Sequence, residues 1–244
     1  MILPLETAYD RLMCGRFSMA VDLSAVLRRF LVTRAPQSVP PLYNIAPTHQ
    51  APVILNEDGR VLELLRWGLI PSWSKDPAIG YKMINARAET LTEKASFKRP
   101  FQRQRCLVPA DGFYEWKFTR TAQGKIPMRI RLKSQATFAM AGLWDRWKDP
   151  HGKEIKSFTI ITTEANEALQ PIHDRMPVIL RPEGEEAWLD PKAEAKHLVA
   201  ALRPYPEEEL EAYAVSKLIN DPTVNRPDCI APAVPPKGPT LFDG

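Results

Sequence analysis

Twenty-four prolines against eleven glycines in 244 residues limit what this chain can become. Proline inside a helix removes a backbone donor and clashes with the preceding turn. A chain punctuated this often is built from many short elements and shaped loops, not from a bundle of long helices. Local patterns agree. Pro52-Val53-Ile54-Leu55, Glu57-Asp58-Gly59 and Val61 to Trp67 read as a hairpin with an Asp-Gly turn. Met128-Arg129-Ile130-Arg131-Leu132 alternates, which buries one face of a strand. Phe113 to Phe118, Phe138 to Trp144 and Ser157 to Thr163 are further strands. Asp22 is placed to cap a short helix whose Leu23, Val26, Leu27 and Phe30 share one face. Glu185 to Leu189 and Ala193 to Leu202 read as helices, and Pro36 to Pro47 as extended chain. The prediction is a single α+β domain over residues 13–226. It is built on a curved, mostly antiparallel, barrel-like sheet with flanking helices. A proline-rich tail over 227–244 is expected to be disordered.

The formal net charge is +4, which permits nucleic acid as a partner without demanding it. Three cysteines, Cys14, Cys106 and Cys229, form no paired framework and no CxxC spacing, and the four histidines are scattered. No metal and no cofactor is expected. Unpaired cysteines suggest a reducing compartment, hence a cytoplasmic protein, and no stretch approaches the apolar length of a membrane span.

Met13-Cys14-Gly15-Arg16-Phe17 holds the most reactive possibility in the chain. If the protein begins at Met13 and that methionine is removed, Cys14 carries a free α-amine beside its thiol. A 1,2-aminothiol condenses with an aldehyde to an imine, and the thiolate then closes a thiazolidine ring. An internal cysteine cannot do this, because its nitrogen is a planar amide. Residues 1–12 lack the basic start and apolar run of a signal peptide, so a misassigned start or a removed piece fits them better. Most cysteines are packing residues, so Cys14 by itself decides nothing.

Four islands are dense in reactive groups: Cys14 to Phe17, Tyr81 to Thr90, Pro109 to Trp116, and Ile172 to Pro177. Together with Tyr43-Asn44-Ile45-Ala46-Pro47 and Arg66-Trp67-Gly68-Leu69-Ile70-Pro71, their order and wording resemble the SRAP family, whose members process abasic sites in DNA. The resemblance runs from Cys14 to about Ser216. It implies that Cys14 is the nucleophile attacking the ring-opened abasic sugar, and that Glu115 is the acid and base for imine formation. It implies His173 as a proton donor to the opened sugar or acceptor from the thiol, and Asn85 as a holder of the amine or aldehyde oxygen. Arg16 and Arg87 match positions that hold DNA phosphates. Trp73 and Met83 are candidates for an apolar wedge or platform, Thr162 lies near the family's site, and Trp67 reads better as core. The basic run Lys94, Lys98, Arg99, Arg103 and Arg105 is either a solvated face or a further DNA contact. The implied partner is single-stranded DNA with abasic sites, bound by a monomer associated with the nucleoid if the source is bacterial.

Two other functions compete with covalent trapping. One is a thiol autopeptidase that uses Cys14, Glu115 and His173 to cleave before Cys14. The other is a non-catalytic single-strand binding module. The departures from the family pattern are the twelve-residue extension and the partial Val215-Ser216 word near the end.

Overall fold

The structure is a computed structural model that describes residues 14–119 and 124–233. It opens with β1 (Phe17–Met19), α1 (Leu23–Arg29), β2 (Leu42–Ile45), β3 (Gln50–Asn56), β4 (Arg60–Trp67) and β5 (Asn85–Arg87). Next come α2 (Ala95–Arg103), β6 (Arg105–Ala110), β7 (Gly112–Phe118), β8 (Lys125–Leu132), β9 (Phe138–Lys148) and β10 (Glu154–Glu164). The chain continues through β11 (Arg175–Pro177), β12 (Ile179–Leu180), α3 (Pro182–Leu189), α4 (Ala195–Ala200) and β13 (Leu210–Ala214).

Two sheets carry these strands. In the larger one, β10 pairs with β4, β4 with β3, β3 with β6, β6 with β9, and β9 again with β10. The ring therefore closes, and the expected barrel is present within an α+β domain. Only the pairings of β10 with β4 and β5 are parallel. The second sheet is antiparallel, in the order β13-β8-β7-β1-β2. The Phe17 ring of β1 meets the edge of Trp67 of β4 at 5.1 Å, and Trp67 stacks on Phe158 of β10. All three side chains are fully buried, which places Trp67 in the core that joins the two sheets.

The β3–β4 hairpin forms where the Asp-Gly turn predicts it. Asp58 and Gly59 both take positive φ, which Asp tolerates and Gly favours. The alternation in β8 is more heavily buried than its pattern suggests. Ile130 and Leu132 pack inward, yet Arg129 on the other face is only 3% exposed. Asp111 pairs with it at 3.1 Å, and it donates to Tyr213 Oη and the Asp111 carbonyl. Gly112 makes room for it, since a Cβ there would fall 2.7 Å from Arg129 Cζ.

Three expectations need correction. The Asp22 side chain makes no capping bond; its backbone carbonyl accepts from Ala25 and Val26 instead. The Ala193–Leu202 helix shortens to Ala195–Ala200. Residues 227–233 are packed rather than loose: Pro227–Cys229 form a 3-10 turn, Cys229 is fully buried, and Pro232 bridges to Val215. Apolar contacts with Tyr114, Val215 and Ile219 hold this segment against proline's tendency to remain extended. The rest of the expected tail, and residues 1–13, lie outside the described residues.

Gly68, between β4 and the loop that leads to β5, has φ 114, and a Cβ there would lie 2.5 Å from the Gly80 carbonyl oxygen. Gly68→Ala is expected to cost about 2–3 kcal/mol, read as a lower midpoint in urea unfolding.

Candidate active site

Strand pairing brings the first and third islands together. β1 and β7 run antiparallel with Phe17 opposite Phe113, and Tyr114 N–H donates to the Arg16 carbonyl. The chain that precedes β1 therefore passes along Glu115, and the Cys14 N–H donates to Glu115 Oε1 at 2.7 Å. Both residues are buried, Cys14 at 1% exposure and Glu115 at 3%. Alternation along β7 puts Glu115 on the face of fully buried Phe113, while Tyr114 and Trp116 turn to the cluster around Cys229.

Burial sets the electrostatics. Loss of solvation pushes the Glu115 carboxyl up to about 8; the Cys14 N–H opposes this and the Asp174 charge reinforces it. The Cys14 thiol is also pushed up, first by burial and then by Glu115. Cys14 has φ 39, an uncommon left-handed conformation for a non-glycine residue.

The end of β10 gathers the second and fourth islands. β5 lies parallel to it on one side, with Asn85 opposite Ile160 and Arg87 opposite Thr162. On the other side, β11 places Pro177 opposite Thr162 and Arg175 opposite Glu164. His173 is half-buried just before β11. Its Nδ1 accepts from Arg175 N–H at 3.1 Å and lies 3.0 Å from Asp174 Oδ1. Nδ1 accepts from Arg175 only when unprotonated and donates to Asp174 only when protonated, so the two contacts belong to different protonation forms of the ring. Two links tie this end to Cys14: the Asp174 charge is felt at Glu115, and Trp67, against Phe17, donates to the Ile84 carbonyl beside Asn85.

The remaining sequence-predicted residues separate into exposed and built-in groups. Trp73 is 60% exposed and Arg87 is exposed, so both can meet a ligand directly. Met83 is half-buried against the core. Thr162 is fully buried and meets Arg175 Nη2 through its carbonyl at 2.8 Å, so it can reach DNA only by placing that arginine. Arg16 is also buried. Its Nη1 donates to Asn44 Oδ1 at 2.6 Å and to the Ile219 carbonyl, and its guanidinium lies over Trp116. In this conformation it clamps the C-terminal segment to β1 rather than presenting a fork to phosphate. In the basic run, Arg105 is a structural residue that donates to four carbonyl oxygens.

Among the described residues, no group of three or more His, Cys, Asp or Glu side chains is placed to hold a metal. No helix among them is long and apolar enough to cross a membrane.

The family model for "SOS response associated peptidase (SRAP)" matches residues 13–222. The chain belongs to the SRAP family. It is 48% identical over 225 residues to the abasic site processing protein YoqW of Bacillus subtilis, a match covering 89% of this chain and 99% of that protein. It is 36% identical to the abasic site processing protein HMCES of Xenopus tropicalis, covering 82% of this chain and 69% of that one. A crystal structure of a Bacteroides thetaiotaomicron protein superposes with a TM-score of 0.82 at 32% identity, covering 91% of this chain and all of the other.

In this SRAP chain the residue that sequence reasoning missed is Arg175. It shares an island with His173 but reads there as one more arginine. Its fork bonds both Glu89 oxygens, at 2.7 and 2.9 Å, and with Arg87 it lines an open cavity of about 470 Å³. Burial and then the Arg16 charge hold the His49 imidazole below the usual histidine range.

Proposed function

We propose that this protein recognises abasic sites in single-stranded DNA and becomes covalently joined to them through Cys14, once Cys14 is the first residue. The observation that carries the reading is the 2.7 Å contact between the Cys14 nitrogen and the Glu115 carboxyl. That nitrogen, an amide while Met13 is attached, is the α-amine of the shortened chain. A family match that begins at Met13, and relatives that are abasic site processing proteins, support the same reading.

The reaction balances without a cofactor. The amine adds to the aldehyde carbon of the opened sugar and forms a carbinolamine. Glu115, whose protonated form burial favours, donates the proton that lets the carbinolamine oxygen leave as water. The Cys14 sulfur then adds to the iminium carbon, and its proton is passed away, leaving a neutral thiazolidine. His173 is the second proton carrier, serving the opened sugar oxygen. Exposed Arg87 holds a flanking phosphate, Arg175 braces the wall beside it through Glu89 and Thr162, and Asn85 orients the aldehyde. An abasic nucleotide has no base to unstack, so delivering it to a buried thiol costs less than flipping a paired base. The test is a denaturing gel of protein beginning at Cys14 with an abasic oligonucleotide. A band that appears equally with an undamaged oligonucleotide would overturn the proposal.

A second reading, self-cleavage before Cys14, is favoured by the same contact and by the positive φ at Cys14. Attack of the thiol on the Met13 carbonyl gives a thioester and frees the amine. Protonated Glu115 supplies the leaving nitrogen with its proton, and water hydrolyses the thioester. Intact-mass analysis of the full chain carrying Glu115→Gln checks this: the extension is expected to persist. Its disappearance in that variant would assign the removal elsewhere.

A further inference from the structure

A second cavity, of about 420 Å³, opens at the other end of the barrel and is not used by the chemistry above. Its position follows from register. Arg146 on its wall pairs with Lys156 in β10, and Thr162 at the candidate site lies six residues further along that strand, roughly 20 Å at the rise of a β-strand. The walls are basic and unevenly compensated. Arg146 is paired with Glu57 and Glu154, and Arg99 lies 3.9 Å from Asp145. Arg103 and Arg105 also line the cavity, and among the described residues neither forms an ion pair. Arg105 is only 6% exposed; it donates to carbonyl oxygens, lies over the Trp188 ring, and has the Asp190 carboxylate as its one nearby opposite charge. Burial outweighs the Asp190 charge at Arg105, and an anion in the cavity would offset the remaining cost. Ser72 accepts from Arg99 Nη1 at 2.9 Å, which leaves its own hydroxyl proton to donate.

The geometry points to a phosphate-binding site in this cavity, in which the exposed fork of Arg103, the field of Arg105 and the Ser72 hydroxyl receive the phosphate group of a nucleotide, free or within a strand. Arginine forks suit phosphate because two N–H groups meet two oxygens. Nothing in the site depends on Cys14, so it stands or falls apart from the covalent reaction.

The experiment is calorimetric titration of the full chain with pyrophosphate, thymidine 5′-monophosphate and an undamaged oligothymidylate. The wild type is expected to bind pyrophosphate saturably, and Arg103→Glu to weaken this at least tenfold, about 1.4 kcal/mol. Arg103 is exposed at the end of α2, so Arg103→Gln serves as a milder second variant with intermediate loss. If the monophosphate competes and the oligomer binds no better, the ligand is a free nucleotide. If the oligomer binds more tightly and Arg103→Glu removes the gain, the ligand is strand phosphate. No saturable pyrophosphate binding, or equal binding by wild type and Arg103→Glu, would overturn the site.

Discussion

Protein that begins at Cys14 will yield a denaturation-resistant adduct with abasic single-stranded DNA, whereas protein that keeps Met13 will yield at least about a hundredfold less. The nitrogen decides this. With Met13 attached, the Cys14 nitrogen is an amide whose lone pair is delocalised, and it donates its single hydrogen to Glu115. Freed, it is an amine in the same place. Cys14→Ala in the shortened chain separates the two halves of the chemistry. It keeps the amine and loses the sulfur, so a reversible imine forms and is captured only when borohydride is added. A stable adduct without borohydride in Cys14→Ala would exclude ring closure. A stable adduct from chain that retains Met13 would exclude the amine.

Glu115→Gln is expected to slow adduct formation by about 10²-fold or more at neutral pH, the usual range for loss of a positioned acid and base. The same variant should change how stability depends on pH. In the chain that retains Met13, the folded-state carboxyl is raised to about 8, against about 4.3 for an unfolded glutamate. Between these values the folded protein holds one proton more than the unfolded chain, so stability falls as pH rises through that window and is level below it and above it. Thermal melts at about pH 5 and about pH 8 should therefore differ more for the wild type than for Glu115→Gln. In the shortened chain the amine and the carboxyl titrate as a coupled pair. An ammonium beside Glu115 favours the charged carboxylate, and the carboxylate in turn favours the ammonium. Adduct rates then climb with pH as the pair gives up its shared proton. Glu115→Gln should move that climb down toward the ordinary amine value. Identical rate–pH profiles for the two proteins would remove Glu115 from the reaction.

Much of the fold was legible because the hairpin, the β8 alternation and the aromatic strands are local patterns. The closure of the ring was not legible in detail. It depends on β10 pairing on both sides with strands distant in the chain, and no local pattern encodes that. The pairing of Cys14 with Glu115 followed from resemblance; their residue types alone would have left Glu115 as an ordinary surface carboxylate. Arg16 and Thr162 show the limit most clearly. Both have the chemistry to touch DNA, but their burial is decided by Asn44, Ile219 and Arg175, at distances along the chain that spacing cannot reveal. Arg103 and Arg105 differ in role although two residues apart, because one ends a helix at the surface and the other begins a core strand.

The place of β1 has a mechanical consequence. It lies between β2 and β7, antiparallel to both, and Cys14 precedes it by only a few residues. Tension applied at Cys14 along this strand would load the hydrogen bonds on its two flanks in shear. A motor enzyme tugging on a polynucleotide tethered there would pull against both neighbours of β1 at once.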